Sequence, residues 1–377
     1  MRILQVVNTL ATMDGGPARV AFELNLAFNS NDVRADLFWV RGDFDDSVAR
    51  EFESEGASLP DPGPRRIAPG RQAGLRQVGL GGFVRCLREA DAVVIHGYYL
   101  GWIPMVVGLS RFFRTPYAVT PHGVFTRHQR RASRGKKWAF EKLVGWWVRR
   151  GAAVFVTDSQ READELLDAF PGARVAVAGV GTRLPRIDRT MARHEPLRMI
   201  SVSRIAPKKR IDLMIDAVAE LETIGVPTRL WIAGTGDSLL LDSLKERARA
   251  AGVAQYVEFL GEVVGNKKEL IFLESDVFLL PSDDENFGIA LAESLAYGVP
   301  VVASSMVAAA EFLNGHGGMV LENPTGRSIA DAIVALMGRD WPGLRGEARA
   351  VAEAAFDWRA VAARWTEALT VEISRRT

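Results

Sequence analysis

The sequence predicts an α/β protein of two doubly wound domains, each a parallel sheet covered by helices on both faces. Short apolar runs alternate with helical segments through both halves, the pattern of buried strands joined by crossover helices. A length of 377 residues suits two domains better than one. The alternation breaks once, over residues 182–196, a stretch rich in Arg and Pro that reads as the linker, and then begins again.

In order, strands are expected at residues 3–7, 35–40, 92–95, 117–120, 153–156 and 175–178 of the first half. The second half repeats the theme at 198–203, 228–233, 257–260, 277–280 and 301–303. A helix over 18–28 follows the first strand. Residues 56–82, full of glycine and proline, read as one long irregular loop. Over 136–150, Phe140, Leu143, Val144 and Trp147 recur at helical spacing and form an apolar stripe. Trp138 and Trp146 lie off its centre, and Arg127, Arg130, Arg131 and Arg134 precede it.

The composition, 48% hydrophobic and 25% charged, is that of an ordinary soluble globular protein. The one cysteine, Cys86, excludes an intramolecular disulfide and fits a reducing cytoplasm. Residues 2–8 read as a first strand rather than a signal peptide, and no apolar stretch reaches bilayer-spanning length. The net charge of +1 hides an asymmetry: residues 1–190 carry 27 Lys and Arg against 20 Asp and Glu. Residues 111–150 hold eleven basic residues and one acid, Glu141. Such a region suits an anionic surface or acceptor, and no nucleic-acid motif accompanies it.

Open α/β sheets bind ligands beyond the carboxyl ends of their strands, so the loops there carry the chemistry. The richest is residues 281–304, PSDDENFGIALAESLAYGVPVVAS, a strand-loop-helix-strand unit. Glu285 and Glu293 stand eight positions apart, about 12 Å along a helix, the scale of a nucleotide-sugar. Carboxylates accept from hydroxyls, and free amides around Asn286, Phe287, Gly288 and Ile289 suit phosphate oxygens. The spacing alone equally fits a helix whose exposed face carries two glutamates. Residues 203–210, SRIAPKKR, set four cations beyond a strand, where Arg204 and Lys209 could clamp a pyrophosphate; a solvated loop is the plain alternative. Gly15 and Gly16, after the first strand, serve either a tight turn or a close ligand approach. His122, in TPHGVF, and His96 each lie between a strand end and a glycine, where a sugar could be met or a turn merely capped. Gly234 and Gly236 follow another strand. Asp43 and Asp45 match a short metal-binding pattern, but within an acidic stretch that reads as surface loop. His128, His194 and His316 have no recognisable context.

The set ENFG, GVPVV, SRIAPKKR and TPHGVF resembles family 4 glycosyltransferases, retaining enzymes of the GT-B fold with an E-x7-E signature. The resemblance implies two Rossmann-like domains facing a central cleft. The acceptor-side domain would be 1–188 and the nucleotide-sugar domain 189–356, with a helix in 357–377 crossing back to the first. It implies a UDP- or GDP-linked hexose donor, a saccharide or lipid-linked saccharide acceptor, and no metal or other cofactor. Arg204 and Lys209 would neutralise the diphosphate, Glu285 hold sugar hydroxyls, Glu293 the ribose, and His122 the reacting sugar. Gly15 and Gly16 would touch donor phosphate or acceptor, and Gly234 and Gly236 lie against the nucleoside. Arg210 stands where the family often has glycine, and residues 304–307 depart from a glycine-containing loop. A GT-B-fold sugar epimerase and a non-catalytic anion- or membrane-binding protein are the alternatives. The basic segment around 136–150 suggests contact with an anionic membrane on its cytoplasmic face.

Overall fold

The computed structural model describes residues 1–10, 16–41, 72–125, 134–187, 192–313 and 315–375. The chain divides into two compact units, Met1–Gly181 with Trp358–Thr377, and Thr182–Asp357.

The first unit is a seven-stranded parallel sheet in the order β3-β2-β1-β4-β5-β6-β7. Its strands are β1 (Arg2–Val7), β2 (Arg34–Trp39), β3 (Gln72–Gly74), β4 (Ala92–His96), β5 (Tyr117–Thr120), β6 (Val154–Thr157) and β7 (Val175–Val177). Between them run α1 (Gly16–Ser30), α2 (Leu75–Glu89), α3 (Ile103–Phe112), α4 (Arg134–Phe140), a π turn (Glu141–Gly145), α5 (Trp146–Gly151) and α6 (Gln160–Ala169). Both sheet faces are buried, which is why the central strands read as continuous apolar runs rather than alternating ones.

The second unit is a six-stranded parallel sheet in the order β10-β9-β8-β11-β12-β13. It is built from β8 (Leu197–Val202), β9 (Thr228–Ala233), β10 (Val257–Gly261), β11 (Val277–Leu280), β12 (Val301–Ser304) and β13 (Gly318–Leu321). Helices α7 (Ile211–Thr223), α8 (Ser238–Ala250), α9 (Gly265–Leu273), α10 (Ile289–Ala296), α11 (Gly326–Met337) and α12 (Trp341–Val351) cover it. The final helix, α13 (Trp358–Ser374), belongs to the first unit. There Val361, Ala362, Trp365 and Leu369 complete the core under Ile3, Leu24 and Phe28.

Each sheet reverses its winding once, between β1 and β4 and between β8 and β11. Loops leave such a point in opposite directions and open a crevice at the carboxyl ends of the two strands. These two points position the residues discussed below.

Three expectations need correction. Residues 72–82 are not loop: a three-residue edge strand and the start of α2 lie there, disguised by glycines, with Gly79 at φ 63° kinking the helix. Strand β13 is not among the expected strands, because Gly318–Leu321 starts with glycine and is only partly buried, unlike the equally short β5, β6, β11 and β12. On the 136–150 segment Leu143 is 77% exposed while Val148 is buried. The π turn adds a residue to that turn of helix, so the buried face passes from Phe140 through Val144 to Val148.

Candidate functional site

In the second unit, β8 ends at Val202 and its chain turns through Arg204 into the short helix Pro207–Lys209. Next to β8 in the sheet is β11, which runs into the loop carrying Glu285. The switch in strand order therefore brings together two segments 76 residues apart: the Lys209 ammonium donates to Glu285 Oε2. Around this pair, Lys208 lies 3.4 Å from Asp284, and the Asp283 amide donates to the Lys208 carbonyl at 2.8 Å. Arg204 is exposed, with no ion-pair partner among the described residues. Burial, then the charges of Lys208 and Arg204, push the Lys209 ammonium down to about 8. Three cations concentrated at one strand end and only partly matched by carboxylate make a seat for a polyanion.

Arg210 explains its own departure from glycine. It occupies the left-handed region at φ 50°, where glycine is easiest, and is held there by Asp212 and Asp283, each at 3.1 Å. Residues 304–307 likewise find their course: Glu285 pairs with Val307 as a parallel bridge, and its amide donates to Met306 at 3.3 Å. This backing fixes the Glu285 backbone from behind.

Gly288, at φ 95°, precedes α10, and a Cβ there would stand 2.6 Å from Val307 Cγ1. The amides of Phe287, Gly288 and Ile289 find no acceptor among the described residues, so this helix start presents free donors. The Phe287 side chain is core, edge-on to Phe356 at 5.8 Å. Asn286 Oδ1 is buried without a partner. One turn into α10, Glu293 accepts from Lys268 of α9 at 2.7 Å, so each glutamate of the pair holds a lysine. Nothing in the spacing of Lys268 singled it out.

Gly234 and Gly236 have a structural duty. A Cβ at Gly234 would overlap the Ser203 carbonyl oxygen, and one at Gly236 that of Ile205. The loop after β9 lies backbone-to-backbone against the basic loop, with Ile205 donating to Thr235 at 2.8 Å. Asp237 caps α8 through the Leu239 and Leu240 amides.

In the first unit, His122 follows β5 in a left-handed turn, with φ 52° there and 78° at Gly123. Its ring is buried, Nε2 3.0 Å from His96 Nδ1 and Nδ1 3.3 Å from Asp158 Oδ2. His96 Nε2 in turn meets Gln5 Oε1 at 2.9 Å. Both ring nitrogens of His122 are thus engaged inside the unit. The turn's position at the carboxyl end of β5 stands. Asp158 and Glu162 escaped sequence reading, as acids near a helix start are ordinary caps. His96 is the second ring of this buried chain. Gly16 opens α1, whereas Gly15, Asp43, Asp45 and His128 lie outside the described residues. His194 is a structural tie, its Nδ1 3.0 Å from buried Asp276, and His316 lies 3.7 Å from Glu347.

Two family models tile the chain: Glycosyltransferase Family 4 matches residues 14–184, and Glycosyl transferases group 1 matches 186–355. A D-inositol 3-phosphate glycosyltransferase of Corynebacterium aurimucosum is 28% identical over 331 residues, 78% of this chain and 76% of that protein. A phosphatidyl-myo-inositol mannosyltransferase of Mycobacterium leprae is 34% identical over 160 residues, 41% of each. A GDP-mannose-dependent alpha-(1-6)-phosphatidylinositol dimannoside mannosyltransferase of Mycobacterium tuberculosis is 32% identical over 182 residues, 48% of this chain and 46% of that protein. The chain therefore aligns with less than half the length of those two mannosyltransferases. Among solved structures, Anabaena HepE in complex with UDP superposes with a TM-score of 0.73 at 17% identity, covering 98% of this chain and 100% of that one. Sucrose-phosphate synthase of Thermosynechococcus elongatus gives 0.67 at 16%, covering all of both. The likeness to these two is one of fold, GT-B.

Proposed function

We propose that this chain, which belongs to the family 4 (group 1) glycosyltransferases, moves a hexose from a UDP- or GDP-sugar to a hydroxyl of a saccharide or lipid-linked acceptor. The anomeric configuration is retained, and the setting is bacterial polysaccharide or glycoconjugate biosynthesis. The observation that carries this is the meeting of Lys209 with Glu285 at the β8/β11 switch, beside Arg204 and the free amides before α10.

The chemistry follows from those groups. Arg204 and Lys209 neutralise the diphosphate as the bond from sugar to phosphate breaks. Glu285 releases Lys209 to the phosphate and takes sugar hydroxyls, while Glu293 takes the ribose. The oxocarbenium-like centre reacts on the face the leaving group vacates, and the acceptor proton passes to the departing phosphate. Cationic side chains fill the role a divalent metal plays elsewhere, so no metal or other cofactor is required.

Incubating the protein with a panel of UDP- and GDP-sugars and following release of nucleoside diphosphate is the test. Turnover of one donor, undiminished in EDTA, is expected. Loss in EDTA with recovery in Mn²⁺ would overturn the metal-free mechanism. An isomerised nucleotide sugar formed without acceptor would make the chain an epimerase.

The acceptor side is assigned to the first unit, at the cytoplasmic face of the plasma membrane. Support comes from exposed Phe112, Trp138, Leu143 and Trp146 beside Arg111, Arg114, Lys136, Lys142 and Arg150. Large apolar side chains among cations are what anionic lipid attracts. Two relatives also carry a phosphatidylinositol in their names.

A further inference from the structure

A polar chain crosses the buried end of the first unit's sheet. Gln5 comes from β1, His96 from the end of β4, His122 from the turn after β5, Asp158 from the loop after β6, and Glu162 from the first turn of α6. Gln5, His96, Asp158 and Glu162 are all at least nine-tenths buried. Four strands, β1, β4, β5 and β6, and helix α6 supply these groups; of the five only His122 has a part at the reacting sugar, and that by the family resemblance.

Counting hydrogens ties the charge to the Gln5 amide, which faces His96 with Oε1 while its own Nε2 finds no partner. Gln5 Oε1 can only accept, so His96 Nε2 carries a hydrogen; Asp158 Oδ2 accepts, so His122 Nδ1 carries one. The 3.0 Å contact between His96 Nδ1 and His122 Nε2 needs a third. Two neutral imidazoles bring only two. With Gln5 Oε1 towards His96 the pair holds one extra proton, on the ring facing the carboxylate; the rotated amide would donate from Nε2 and two neutral rings would suffice, and the Asp158 carboxylate 3.3 Å from His122 Nδ1 favours the first. Glu162 acts on the backbone instead: one of its oxygens accepts from the Gly123 amide and the other from the Asp158 amide at 2.9 Å. A single carboxylate thus ties the left-handed His122–Gly123 turn to the loop that presents Asp158.

We propose that Asp158 and Glu162 are positioning residues for the His122 turn: Asp158 holds the ring as an imidazolium whose second N–H is given to neutral His96, and Glu162 holds the turn's backbone. The inference rests on the reading of that turn as meeting the reacting sugar. The groups that bear on the His122 charge are His96, Asp158 and Glu162. Burial opposes the charge, yet Asp158 and then Glu162 outweigh it and leave His122 raised from its ordinary value, while burial and the His122 charge push His96 well down. Glu162 itself is pushed up to about 7, by burial first and the Asp158 charge second.

The first arm of the test needs no variant. In the full chain labelled on histidine, ring nitrogen shifts are followed with pH, with His96 assigned from H96Q. His122 should carry two N–H groups at pH 7 while His96 carries one; two neutral rings at pH 7 would overturn the proposal. In the second arm, D158N and E162Q should lower nucleotide-sugar turnover about 10²-fold, the scale for a misplaced reacting group, with UDP or GDP binding unchanged. D158N should also bring the His122 titration down towards that of a free histidine. Turnover like wild type in both variants would refute positioning. A wild-type chain that hydrolyses no nucleotide sugar and binds no nucleotide would instead refute the reading under Proposed function, and the nitrogen shifts would still decide the protonation.

Discussion

Lys209 is a buried lysine whose partner, Glu285, has a second task, so its charge is held at some cost until an anion arrives. Its pKa of about 8 lies below the ordinary 10.5, burial being the first cause. The unfolded chain therefore binds more protons between those values, and this residue's contribution to stability grows as pH rises through that window. Diphosphate binding acts the other way, because it raises the Lys209 pKa. Nucleotide binding at pH 8 should take up about half a proton, and affinity should fall as pH climbs beyond it. Calorimetry in two buffers of different ionisation enthalpy reads the uptake; identical heats after buffer correction would remove Lys209 from the diphosphate site. Replacing Arg204 or Lys209 with Ala should lower turnover by about 10²-fold or more, the range for one charge-stabilising donor. Near-wild-type rates in both variants would mean the diphosphate sits elsewhere.

Elements here meet through backbone as much as side chains. The loops after β8 and β9 touch main chain to main chain, and only glycine at 234 permits it: φ is 144° and the space for a Cβ belongs to the Ser203 carbonyl. Gly234→Ala should destabilise the second unit by about 1–3 kcal/mol, the scale of one forced backbone strain, and weaken nucleotide binding by displacing Arg204. Gly346→Ala is the control. It lies within α12 with open space around it and should be neutral or stabilise by about 0.5–1 kcal/mol. Urea unfolding of the two variants gives the comparison. Equal midpoints would show that the basic loop does not depend on this contact.

At the scale of the molecule, charge is divided between the two halves of the chain, basic in the first and acidic in the second. The helix pair Arg134–Phe140 and Trp146–Gly151 concentrates the basic share, with Trp138 65% and Trp146 54% exposed. Among the described residues no helix is long and apolar enough to cross a membrane. Each basic side chain near anionic lipid contributes roughly 1 kcal/mol, and salt screens it. Co-sedimentation with phosphatidylserine vesicles should be strong at low salt and lost at high salt. W138S and W146S together should weaken it without changing nucleotide binding. No binding at low salt would leave a soluble acceptor.

By itself the sequence determined the strand pattern, because central parallel strands are buried on both faces and show as unbroken apolar runs. Eleven strands were placed this way, and the missing two, Gln72–Gly74 and Gly318–Leu321, are short, glycine-bearing and at sheet edges, where pairing rather than composition makes a strand. It also singled out the segments proposed for the site, with Arg204, Lys209, Glu285 and His122 in loops beyond strand ends and Glu293 on the helix that follows β11. Only the tertiary structure decided who faces whom. Lys209 meets Glu285 across 76 residues because the strand order reverses between β8 and β11. Lys268 reaches Glu293, and Asp158 and Glu162 reach the His122 turn, through contacts that leave no local signal. Local periodicity is written in consecutive residues; the partners of a buried charge are set by how distant strands line up.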